Sequence, residues 1–114
     1  MTVTNRAFRA YADARAQRSP REQEADIFRM VSGRLRTARD GAELDRVRAL
    51  ADNARLWAAT SGFLQDPANR LPPETRAGIV SIGHAVGRAM ASGAPDFDFL
   101  ISVNDTMAAG LSNG

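Results

Sequence analysis

The stretch Pro95-Asp-Phe-Asp-Phe-Leu-Ile-Ser-Val-Asn-Asp-Thr-Met-Ala-Ala-Gly-Leu111 sorts by a helical period. At 100° per residue Phe97, Leu100, Ile101, Val103, Met107, Ala108 and Leu111 share one wide face, and Asp98, Ser102, Asp105 and Thr106 fall on the other. Asp96 stands where an N-cap belongs, and the spacing predicts a helix ending near Gly110. Asn104 breaks the sort, because it lands near the middle of the apolar stripe. A face this apolar must be covered by its own core, a twin subunit or a partner. Two outcomes are open for Asn104. Its amide is satisfied by backbone or a neighbouring helix end, fixing register, or it offers a hydrogen bond to a partner.

The same period recurs upstream, with no alternating strand pattern and no internal repeat. A first helix is predicted over about Thr4–Gln17, with Ala7, Phe8, Tyr11 and Ala14 inward. Ser19-Pro-Arg-Glu22 then reads as a capping box with proline at the first helical position. The second helix runs to about Arg39 and stops at Asp40-Gly41, with glycine expected as a left-handed C-cap. A third spans about Ala42–Gln65. After the loop Asp66–Pro73, a fourth starts at Pro73 and ends near Ser92, with Gly78, Gly83 and Gly87 inside it. Three helical glycines suggest close packing, mobility or both, since each lowers helix propensity by roughly 1 kcal/mol relative to Ala. The expected fold is all-α: a compact single-domain array of about five helices over residues 1–114.

Two further features bear on burial. Glu24 falls among Ile27, Phe28, Val31 and Leu35, so its carboxylate needs an ion pair or hydrogen bond, with Arg55 and the Tyr11 hydroxyl as candidates. In the third helix the main stripe is Leu44, Val47, Leu50, Ala51, Ala54, Trp57, Ala58, Ser61 and Leu64. Leu56 and Phe63 lie on a different face, which the last helix or an external partner must cover.

Composition bounds the function. The 114 residues are 44% hydrophobic and 25% charged, which argues against disorder. There is no cysteine, so disulfides, thiol catalysis and cysteine-ligated metal are excluded. No signal-peptide h-region and no membrane-length apolar run is present, and a cytoplasmic location is expected. All fifteen basic residues are arginine. Met1–Trp57 holds twelve Arg against eight acids, net +4, and Ala58–Gly114 three against five, net −2. The basic half would attract an anionic partner, or it is a solvated surface with local pairs such as Asp26/Arg29, Glu43/Arg46, Asp45/Arg48 and Asp52/Arg55. Arg34, Arg36, Arg39, Arg46 and Arg48 would be the phosphate contacts of a nucleic-acid binder. However, the helix after Gly41 is too apolar in its second half to be a recognition helix. The single histidine, His84, has no second ligand beside it, and no nucleophile elbow or phosphate-binding glycine motif occurs. No enzyme activity, metal or cofactor is expected.

Asn53-Ala-Arg-Leu-Trp57, then Asn69-Arg-Leu-Pro72, then Arg76 with Ile79 and Ile82, then Leu100-Ile-Ser-Val-Asn104 leading to Ala108-Ala-Gly-Leu111, follow one another at suitable spacings. Together with Ala10-Tyr11 and Glu24, this ordered set resembles the FlaF family of flagellar biosynthesis regulators over nearly the whole chain. Thr60 departs from it, standing where a bulky residue is common. The resemblance implies a small cytoplasmic protein of flagellum assembly that is associated with flagellin. Such a protein promotes flagellin production or secretion opposite FlbT, which restrains flagellin translation. The expected action is chaperone-like: a helical groove shields flagellin's amphipathic terminal helices until export. Leu56, Trp57, Phe63, Leu71, Ile101 and Asn104 are expected to form that groove or its support. The alternative is a post-transcriptional regulator acting on flagellin mRNA, directly or through an FlbT-like partner, as the basic first half suggests. A plainer reading is a structural subunit whose last helix packs into a twin; the oligomeric state is left open.

Overall fold

The computed structural model describes residues 6, 7, 9 and 19–113. Its helices among these are α1 (Pro20–Arg39), α2 (Glu43–Gln65), α3 (Pro73–Ala91) and α4 (Phe97–Asn113), and no strand occurs among the described residues. The fold is all-α, with four long helices among the described residues where about five are expected over the chain. The predicted first helix, Thr4–Gln17, lies largely outside the described residues. Arg6, Ala7 and Arg9 are helical, and Ala7, expected inward, is exposed.

Local chemistry sets the helix ends. The Glu22 N–H donates to the Ser19 hydroxyl at 3.1 Å, and Pro20 occupies the first helical position, where its missing N–H leaves no bond unmade. The Phe99 N–H donates to Asp96 at 3.1 Å in the same manner at the start of α4. The left-handed cap expected at Gly41 does not form, since no glycine among the described residues has a positive φ. Instead the Gly41 N–H donates to the Ala38 carbonyl at 2.9 Å, tightening the last turn of α1. Ala42 is extended (φ −67°, ψ 153°), and α2 begins at the next residue. The reversal is completed by this tight turn and one extended residue, so no left-handed residue is needed. α4 runs through Gly110 to Asn113, past its expected stop.

Successive helices alternate in direction. α1 and α4 pack along the greatest length, with contacts marching antiparallel from Arg29–Ser112 through Arg36–Asp105 to Arg39–Asp98 at 2.6 Å. The hydrogen bond to Asp98, with the carboxylate's charge, raises the Arg39 pKa further above its ordinary value. Exposed pairs like these add little net energy, so their main effect is to favour one register of α4 on α1. Beneath them Ser32 is buried, and its hydroxyl donates to the Ile101 carbonyl at 3.5 Å.

The core joins Phe28, Val31, Leu35, Trp57, Val86, Phe97, Leu100 and Ile101. Burying each large apolar side chain contributes about 1.5–3 kcal/mol before ordering costs. Of the apolar stripe of α4, Phe97, Leu100, Ile101 and Ala108 are thus buried in the chain's own core and Val103, Met107 and Leu111 are half-buried, with Asp98, Ser102 and Thr106 exposed as the period predicts. The face of α2 differs from expectation. Ala49, Asn53, Trp57 and Leu64 are its buried residues, whereas Leu44, Val47, Ala54, Ala58 and Ser61 are exposed. The helix is rotated so that a polar residue, Asn53, faces inward, for a reason that lies in α4.

Candidate functional site

Trp57 is 6% exposed and stands at the middle of the bundle, with the Phe28 ring edge-on at 5.8 Å between centroids. α3 passes it at Gly83, where an added Cβ would sit 3.6 Å from the indole, an ordinary contact distance. A buried indole N–H needs an acceptor. It donates to Asn104 Oδ1 at 3.0 Å. Because the indole can only donate, the Asn104 oxygen must face it, which turns the Asn104 amide nitrogen away. That nitrogen donates to Asn53 Oδ1 at 2.8 Å, and the Asn53 nitrogen in turn lies 3.2 Å from the Met90 sulfur. One directional chain of hydrogen bonds therefore ties α2, α4 and α3 together. Both asparagines are fully buried. The amide of Asn104 is satisfied on both sides by side chains of one neighbouring helix, α2, neither by backbone nor by a helix end.

One end of the bundle is built differently. The N-terminal half of α1, the C-terminal half of α2, the start of α3 and the C-terminal end of α4 surround a groove of about 710 Å³. Phe28 and Leu64 are buried at its base. Leu56, Ile79, Met107 and Leu111 are half-buried along it, and Ile27 and Phe63 are 46% and 53% exposed. Of the helices that follow one another in the chain, α3 and α4 pack together least, and both contribute to its walls.

Asn69, in the loop between α2 and α3, shapes the rim. Its side-chain nitrogen donates to the Phe63 carbonyl at 3.0 Å and its oxygen accepts from the Leu71 N–H at 2.8 Å. This caps the end of α2 and turns Leu71 onto the groove. Arg76 reaches back from α3 to the carbonyls of Asn69 at 3.3 Å and Leu71 at 3.5 Å.

Of the sequence-predicted residues, Leu56, Phe63 and Leu71 line the groove. Trp57, Ile101 and Asn104 are buried. Phe63 is not covered by α4. Glu24 lines the groove and is half-buried, and Arg55, its suggested partner, pairs with Asp52 at 2.7 Å. Tyr11, the other suggested partner, lies outside the described residues. Asn53, Asn69 and Arg76 carry structural tasks that the apolar pattern did not mark. A usable signal for Asn53 was its position one turn before Trp57, on the same helical face. Among the described residues no cluster of three or more His, Cys, Asp or Glu could hold a metal ion, and no helix is long and apolar enough to cross a membrane.

Fold and site together define a small all-helical domain, closed by a polar chain at its middle and open as an apolar groove at one end. The chain belongs to the FlaF family: the family's sequence model, described as flagellar protein FlaF, matches residues 7–111 and so spans the whole groove. Membership makes it a flagellar-related protein. No curated protein and no solved structure matches the chain.

Proposed function

We propose that this flagellar protein binds flagellin and promotes its production or secretion, acting in the cytoplasm as a non-enzymatic chaperone of flagellum assembly. The supporting observation is the groove. Phe63 stands 53% exposed beside Leu56, Ile79 and Met107, leaving apolar surface that the described helices do not cover. A terminal segment of flagellin that is amphipathic and unfolded before assembly gains cover for its apolar face by lying there as a helix. Leu56, Phe63 and Leu71 are then the contact residues. Trp57, Ile101 and Asn104 are the support beneath them.

The alternative reading, action on flagellin mRNA directly or through an FlbT-like partner, draws on the basic first half. The arginine pattern favours flagellin. Arg29, Arg34, Arg36, Arg39 and Arg55 each face an aspartate of the same chain, which reduces the charge left for phosphates.

Calorimetric titration with purified cognate flagellin tests the proposal. Saturable heat in the micromolar range is expected, and Phe63→Ser should weaken it. A flat trace, together with salt-sensitive binding to the flagellin leader RNA, would replace this reading with the alternative.

A further inference from the structure

The polar groups along the groove divide by whether they are already satisfied. The Thr60 and Thr106 hydroxyls each donate to a carbonyl one turn back, of Leu56 and Ser102, at 2.9 Å. Asn69 is used on both sides of its amide by its own loop. Arg70 and Thr75 are exposed and keep their polar ends in water, and Arg21 is exposed with an interaction of its own. Glu24 is the exception: half-buried on the α1 wall, it makes no hydrogen bond or ion pair with any described residue.

We propose that Glu24 reads a cation, so that the groove's occupant is an amphipathic helix carrying an Arg or Lys at the margin of its apolar face. This rests on the groove being a helix-binding site and adds the chemistry by which it selects. A half-buried carboxylate still keeps part of its hydration. An occupant that covers the groove removes the rest, and a buried carboxylate left unpaired is heavily penalised. A margin Arg or Lys replaces the lost water with a charge-assisted hydrogen bond. A neutral margin leaves the carboxylate stranded, and an acidic one adds repulsion. Selection therefore works mainly by rejecting the wrong helix.

The test uses the full chain and three synthetic amphipathic peptides with one apolar face, whose margin positions are all Arg, all Gln or all Glu. The intact protein should bind the Arg peptide about tenfold more tightly than the Gln peptide, the fold-change of one charged hydrogen bond. Glu24→Gln should erase that preference, and Glu24→Arg should turn it toward the Glu peptide. Thermal melts of both variants establish that each is folded. Equal affinity of the intact protein for the three peptides, or a preference that survives Glu24→Gln, overturns the role of Glu24 while the groove remains a helix site. Should flagellin alone bind, an unchanged affinity in Glu24→Gln overturns it equally. If neither flagellin nor any peptide binds, the inference falls with the reading beneath it. A dimer in light scattering that Glu24→Arg dissociates would seat a second copy in the groove, and that too overturns the proposal.

Discussion

The middle of the bundle and its groove end treat polar and apolar groups in opposite ways. In the middle, Trp57, Asn104 and Asn53 bring polar atoms into a dry interior and satisfy them in a directed chain. At the groove end, Ile27 and Phe63 hold apolar surface in water, and Glu24 has no partner among the described residues. The first arrangement fixes how three helices meet and leaves nothing to offer a partner. The second contributes little to holding the helices together and presents a surface whose burial remains to be gained. Stability and partner binding should therefore separate on mutation.

The largest effect is expected at the centre. Trp57→Ala removes the ring that Phe28, Gly83 and Asn104 surround, and should destabilise by about 3–5 kcal/mol in a urea titration. A loss below about 1 kcal/mol would mean that Trp57 is not a core residue. Asn104→Leu comes next. It keeps similar volume but strands the indole N–H and the Asn53 oxygen, at a cost of about 1–3 kcal/mol for a buried group left unpaired. Flagellin affinity of the folded variant should be unchanged. A loss of affinity without a change in melting temperature would move Asn104 from the middle's role to the groove's.

Phe63→Ser should reverse the pattern. Its ring is half in water, so stability should shift by no more than about 0.5 kcal/mol. Affinity for flagellin should fall about tenfold, as for an anchor residue in an apolar pocket. Unchanged affinity would take Phe63 out of the contact surface. The smallest effect belongs to α3. An added Cβ at Gly78 or Gly87 meets nothing within 4 Å, so alanine at either position should stabilise by about 0.5–1 kcal/mol without altering binding. Destabilisation there would show that the helix needs those glycines for a motion or contact absent from this conformation.

What the sequence disclosed divides along the same line. The helix starts are legible because Ser19, Pro20, Pro73 and Asp96 act within a turn of themselves, and the face of α4 is legible because its stripe is long and broken only at Asn104. The inward face of α2 is not. Counting apolar residues places Trp57 and Leu64 inward, where they are, but also favours Leu44, Val47, Ala54 and Ala58, while the structure buries Ala49 and Asn53 instead. The deciding interaction is the Asn53–Asn104 hydrogen bond, and its partners lie in different helices. Periodicity within one helix holds no information about register against another. For the same reason Asn104 was marked as anomalous but its partners could not be read. At the groove, Leu56 and Phe63 stand out as surplus to one face, to be covered by the last helix or a partner, and the register of α4 places Met107 and Leu111 beside the groove while Phe63 stays exposed. Gly41 shows a subtler limit: a glycine after a helix favours a left-handed cap, but the immediate restart of α2 makes a tighter turn sufficient.

The most direct test is amide hydrogen exchange of the intact chain with and without cognate flagellin. New protection is predicted at residues 20–28, 56–71, 75–79 and 106–111, which frame the groove. Amides around Asn53 and Asn104 should already be slow and should change little. Protection centred on the exposed arginines of α1 and α2, or no flagellin-dependent protection at all, would contradict the account.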